Sequence, residues 1–166
     1  MPGKVIGTSL NHGYPGTIAM QPDQIVGVGA VAEGEEILFG APVTQDEGGV
    51  IANFSASDTD IAGIAIRQVK SAFDYLDQNG IGRYRAKENI SILERGAVTV
   101  VCSYGTPKVG SKVYIRTESG TGGTVIGALE ATEETGKNVA IPGVVWGGAK
   151  DANNVALLII KERKGV

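Results

Sequence analysis

The chain contains one cysteine, one histidine, one tryptophan and three phenylalanines, and each of these shortages removes a class of chemistry. A single cysteine forms no intrachain disulfide. Cys102 lies in the apolar run Val98-Thr99-Val100-Val101-Cys102, where a buried, inert small hydrophobe is the expected role. One histidine and one cysteine cannot build a zinc site. His12 sits in a Gly/Pro-rich stretch with no regular element to hold it, so a Ser-His-Asp or Cys-His device has no framework for its base. Lys and Arg number 15 against 18 Asp and Glu, for a formal charge of −3, so the clustered positive charge that displaces counterions from nucleic acid is missing. No apolar run approaches the about 18 residues of a membrane-spanning helix. The start, Met1-Pro2-Gly3-Lys4-Val5-Ile6-Gly7, lacks the layout of a signal peptide. The expectation is a soluble product with no nucleic-acid partner, no membrane, no cofactor and no metal.

What is abundant is glycine, at 25 of 166 residues, together with a 42% hydrophobic share. That combination belongs to a globular chain with many tight turns, and at this length one core burying roughly 70% of the unfolded surface is within reach. Residues 1–23 carry Pro2, Gly3, Gly7, Gly13, Pro15, Gly16 and Pro22 with neither a period of two nor one of 3.6, and read as an extended arm that is either flexible or held by another surface. From Gln24 onward, short β-branched runs alternate with Gly, Asn, Asp and Pro. Strands are predicted near Ile25–Ala32, Glu36–Pro42, Val50–Ser55, Ile90–Leu93, Ala97–Ser103, Lys112–Thr117, Thr124–Ala131, Asn138–Trp146 and Asn154–Glu162. Turns are predicted at Arg95-Gly96, Thr106 to Gly110, Ser119 to Gly123 and Lys150 to Asn154. Lys112 to Thr117 alternates as a half-buried strand does, whereas Val155 to Ile160 is apolar throughout and is placed centrally, covered on both faces.

Two readings stay open for residues 61–77. Ile61, Ile64, Ala65, Val69, Ala72, Phe73 and Leu76 fall at helical spacing. The β-branched Ile64-Ala65-Ile66 and nearby Gly63 favour a strand followed by a loop with one helical turn around Ser71 to Asp77. The fold class predicted is all-β, a small barrel or sandwich of nine to ten short strands over residues 24–166 behind the 1–23 arm.

Motifs that hint at chemistry have simpler explanations. Gly27-Val28-Gly29-Ala30-Val31-Ala32 matches G-x-G-x-x-A, but that fingerprint needs a helix opening at once to receive a pyrophosphate, and Glu33-Gly34-Glu35-Glu36 leaves no room for one. Asp58-Thr59-Asp60 and the acidic doublets lack the calcium-loop pattern and are expected to cap turns. Paired carboxylates of a glycosidase would be recognisable only in the fold.

Gly63-Ile64-Ala65-Ile66-Arg67-Gln68-Val69-Lys70, Tyr84 and Ile90 to Val100 come first in a series continued by Val109-Gly110-Ser111-Lys112-Val113-Tyr114-Ile115-Arg116-Thr117, Val125-Ile126-Gly127-Ala128 and Ile141-Pro142-Gly143-Val144-Val145-Trp146. In order and spacing these blocks resemble the tailed-phage capsid decoration, or cement, proteins, from about Gln24 to the C-terminus. The resemblance implies a non-enzymatic virion component, made in the bacterial cytoplasm, whose partner is the major capsid protein. It implies binding to the outer surface of the shell and bridging of neighbouring subunits, as a homo-oligomer, with a trimer favoured and a dimer possible. Leu10, His12, Tyr14, Pro15, Ile18 and Met20 of the arm are then the expected capsid-contacting residues, ordering on contact. The alternatives are another virion component (tail tube, baseplate or head completion), a trimeric β-barrel enzyme such as a dUTPase, whose motifs are not found, and a ligand-binding barrel, for which aromatic lining is scarce.

Overall fold

The computed structural model describes residues 11–68, 82–119 and 125–164. Among them are eleven strands: β1 (Ile18–Val31), β2 (Ile37–Leu38), β3 (Pro42–Gln45), β4 (Val50–Asn53), β5 (Gly63–Ala65), β6 (Arg83–Tyr84), β7 (Asn89–Tyr104), β8 (Lys112–Arg116), β9 (Leu129–Glu130), β10 (Asn138–Trp146) and β11 (Val155–Ile160). β2 and β6 form a separate pair; the other nine make one mixed sheet in the order β1-β4-β3-β5-β7-β11-β10-β8-β9. That sheet also pairs β1 with β7 and β7 with β9, so it closes on itself twice. The result is two small rings of strands sharing β7: β1, β4, β3 and β5 on its first half, β11, β10, β8 and β9 on its second. Neither ring is a regular barrel. β1 and β4 meet only at Ala30 and Val31, and β7 joins β9 in a parallel pair with a register shift.

Sixteen-residue β7 serves both rings because its side chains divide between two cores. Ile90 and Ile92 pack with Ile37, Val43, Ile51 and Tyr84. Val98, Val100 and Cys102 pack with Ile115, Trp146 and Leu158 in the larger cluster. Phe54, Ile61, Ile64 and Ile66 of the first ring also enter that larger cluster, so the rings are welded along β5. Tyr84 is fully buried and donates its hydroxyl to the Ile66 carbonyl at 2.6 Å. Burial pushes its phenol up to about 12.

The far end of the second ring holds a buried polar knot. Arg116 Nη2 lies 2.8 Å from Glu130 Oε1 and 2.7 Å from Glu134 Oε2. Asn138 Nδ2 donates to Glu130 Oε2 at 2.6 Å, and the Trp146 indole N–H to the Glu130 carbonyl at 3.3 Å. Burial works against the guanidinium's charge, but its hydrogen bonds to Glu130 and Glu134 outweigh that and raise its pKa. The knot ties β8, β9 and β10 in one register, the best-attested use of a buried ion pair.

The all-β expectation holds, with local differences that have physical reasons. Arg95-Gly96, expected as a hairpin turn, lies inside continuous β7. Gly96 has φ +126°, and the site where its Cβ would sit is 2.8 Å from the Asp23 carbonyl, so the strand bends there while Ile25 still pairs Arg95 and Ile160 pairs Gly96. The strand predicted over Glu36–Pro42 shrinks to Ile37–Leu38, because Gly40 at φ +80° turns the chain into β3. The strand predicted over Thr124–Ala131 is observed only as Leu129–Glu130, Thr124 lying outside the described residues. Ile64-Ala65 is strand, the preferred reading; the helical turn expected around Ser71 to Asp77 lies outside the described residues. β11 sits between β7 and β10, centrally as predicted. β1 starts at Ile18 and runs through residue 23, where the arm was expected to end.

Candidate functional site

The arm residues 11–17 lie on the molecule's own surface. Gly16 donates its N–H to the Thr99 carbonyl at 2.6 Å, Thr99 returns its N–H to the Thr17 carbonyl at 3.0 Å, and Arg67 donates to the Gly16 carbonyl at 2.8 Å. The Thr99 hydroxyl donates to the Tyr14 carbonyl at 2.6 Å. These bonds prolong the β1–β7 ladder past Ile18. Gly16 is required at this crossing: it has φ +81°, and a Cβ would lie 2.9 Å from the backbone nitrogens of both Arg67 and Gly40, which cannot give way.

Beyond Gly16 the chain crosses to the β10–β11 turn. The His12 N–H donates to Asp151 Oδ2 at 3.0 Å, and His12 Nε2 lies 3.0 Å from the Ala149 carbonyl. Burial alone would push the Asp151 carboxyl up; N–H donors from His12, Val155 and Asn153 overcome this and hold it below its ordinary value. Tyr14 stands out from the surface, 62% exposed, with the Arg67 guanidinium carbon 4.3 Å from its ring centroid, a cation–π contact. Pro15 packs where Gly40 has no side chain. Ile18 packs against the larger core, and Met20 is exposed. Of the arm residues singled out from sequence, Tyr14 and Met20 are exposed, His12 and Pro15 lie along the crossing, and Ile18 turns into the core; Leu10 lies outside the described residues.

Beside this crossing lies a cleft of about 290 Å³ between the two rings, floored by Phe39, Phe54 and Leu129 and rimmed by Leu38, Val101 and Val125. Leu38, Val101 and Val125 are exposed apolar side chains, and the rim carboxylate Glu36 is occupied by Arg83. Sequence reading missed this cleft. Apolar residues in β-branched runs signal burial in general, and nothing in the alternation marks which of them stay uncovered.

The other sequence candidates are structural. Gly27 and Gly29 lie within β1 and no helix follows, so the nucleotide fingerprint has no frame. The Ser55 N–H donates to Asp58 Oδ2 at 2.6 Å, and Lys164 Nζ lies 2.8 Å from Asp60 Oδ2. The Cys102 thiol is buried, which pushes its pKa up, away from the reactive thiolate. Among the described residues no group of three or more His, Cys, Asp or Glu could hold a metal ion, and no helix is long and apolar enough to cross a membrane.

The arrangement offers surface, an apolar cleft and a strapped arm. Comparison with known proteins agrees with that character. The family model described as structural cement protein (E217 gp24/Pam3 gp6) matches residues 2–161. Comparison with curated proteins finds no match. Among solved structures, a chain from "The capsid of Myoviridae Phage XM1" is similar, with a TM-score of 0.72 and 20% identity over 96% of each chain. At that identity the likeness shows the shared fold.

Proposed function

The chain belongs to the phage structural cement protein family, and from that premise we propose how it works: it seats the arm-and-cleft face on the outer surface of the capsid and bridges neighbouring subunits. The observation that carries this reading is the family match from Pro2 to Lys161, which takes in the arm as well as the strands. Exposed Tyr14, whose partner Arg67 also lies over the cleft-lining Phe39, supports the choice of face. A ligand that binds only the assembled shell stabilises it by RT ln(1 + [L]/Kd), about 2.7 kcal/mol at a hundredfold excess over Kd. A homo-oligomer multiplies this, because each further contact forms at high effective concentration. The virion is the place of action, and no catalytic step is needed for it.

Co-sedimentation with expanded shells lacking this protein tests the reading. The full chain is expected to saturate them, and a chain lacking residues 1–17 to keep its circular dichroism spectrum but bind at least tenfold more weakly. Equal binding by both would remove the arm from the contact face; binding by neither would remove the capsid reading.

A further inference from the structure

The turn between β7 and β8 holds one apolar side chain out in solvent and leaves it little freedom to withdraw. Val109 is 82% exposed, more than any other large hydrophobic residue among those described. The Ser111 N–H donates to the Lys108 carbonyl at 3.0 Å and Gly110 has φ +77°, the pattern of a type II turn with Val109 at its second position. The Ser111 hydroxyl donates to the Lys108 carbonyl at 2.7 Å and accepts the Lys108 N–H at 3.1 Å. Gly110 donates its N–H to the Trp146 carbonyl at 2.8 Å, and Trp146 donates to the Ser111 carbonyl at 2.9 Å. Trp146 itself is fully buried in the larger core. Scattered exposed apolar residues are ordinary on a protein surface; this one is pinned in place through the core.

The charge left free around it is positive. Lys108 and Lys112 flank the turn, and Lys150 lies in the β10–β11 turn shortly after Trp146. Lys87, Lys137 and Lys164 each pair with a carboxylate; among the described residues Lys108, Lys112 and Lys150 pair with none. Asp151, the acid beside Lys150, gives its oxygens to the N–H groups of His12, Asn153 and Val155. Tyr104, at the end of β7 that leads into the turn, is exposed and adds an aromatic ring.

We propose that this tip is a further point of contact with the shell: Val109 enters a shallow apolar pocket on a capsid subunit whose rim carries carboxylates, and the three lysines lie over that rim. The proposal rests on the capsid reading above and names a contact which that reading leaves out. Two observations choose the partner. Unpaired lysines around an apolar knob are complementary to an acidic protein surface. The arm's outer end is fastened at Ala149 and Asp151, on either side of Lys150, so the tip continues the face on which the arm lies. The rigidity of the turn bears on affinity, because a side chain already held in its docked position gives up little freedom on binding.

Full-length variants co-sedimented with expanded shells lacking this protein test it. Val109→Ala is expected to unfold in urea as the wild type does, since its side chain stands in solvent, and to bind shells about tenfold more weakly, as the loss of two buried carbons implies. Val109→Asp is expected to bind more weakly than Val109→Ala. The triple variant K108Q/K112Q/K150Q is expected to keep its circular dichroism spectrum, to bind more weakly than the wild type, and to lose most of the weakening that added salt causes in wild-type binding. V109A and V109D chains that bind as tightly as the wild type would overturn the proposal. So would wild-type binding that salt does not weaken, or a triple variant with wild-type affinity. A wild type that fails to sediment with shells removes the capsid reading and this proposal with it; equal binding by the wild type and every variant removes this proposal alone.

Discussion

Gly16→Ala is the change that probes the arm most sharply. The left-handed backbone at φ +81° costs an L-residue about 1–2 kcal/mol. The added methyl also meets two backbone nitrogens, of Arg67 and Gly40, at 2.9 Å, where no rotamer change relieves it. A strain of about 2 kcal/mol or more concentrates on a crossing held by a few hydrogen bonds, each contributing about 1 kcal/mol. The cheapest response is local release of residues 11–17, with the two cores untouched. Hydrogen exchange reads this directly, because the Thr99 and Arg67 N–H groups are donated to Thr17 and Gly16. Their protection should fall about 30-fold, the factor that 2 kcal/mol gives, while β11 amides keep theirs. Unchanged protection at Thr99 would refute the strap; equal loss across β11 would show that the arm is part of one cooperative unit.

Other consequences follow from the same geometry. Arg116→Met leaves Glu130 buried without its cation and should destabilise by about 3–5 kcal/mol in urea denaturation, and adding Glu130→Leu should restore much of it. Gly29→Ala forces a Cβ to within 2.5 Å of the Gly49 carbonyl and should cost about 1–3 kcal/mol by the same assay. Asp151 is held below its ordinary value of 3.8, so its contribution to fastening His12 is complete above that pH and disappears as pH falls through the lower folded value. Thr99 exchange, corrected for intrinsic rate, should therefore rise at the acid end, and Asp151→Asn should abolish that pH dependence.

The parts of this molecule legible in its sequence are those where one physical signal decides. Val155 to Ile160 is apolar without alternation and is central; Ile64, β-branched beside a glycine, is strand. Turn chemistry was less decisive. A glycine with positive φ ends a strand at Gly40 but only bends one at Gly96, because neighbours on both sides of β7 keep their pairing. The arm's Gly/Pro texture described its lack of regular structure, yet not the bonds from Thr99, Arg67 and Asp151 that fasten it, since those partners lie more than fifty residues away in sequence. That Val26 and Val28 of β1 are exposed was hidden for a related reason. Alternating Val and Gly shows a period of two, but which face looks inward depends on Glu94 and Ile51 filling the interior.

The central claim is that this chain holds a capsid together from outside, and calorimetry of expanded shells with and without it measures that most directly. Saturating protein should raise the shell's melting temperature in a concentration-dependent way, with density for the chain on the outer surface of the same particles. Shells that melt at the same temperature and carry no added density would contradict it.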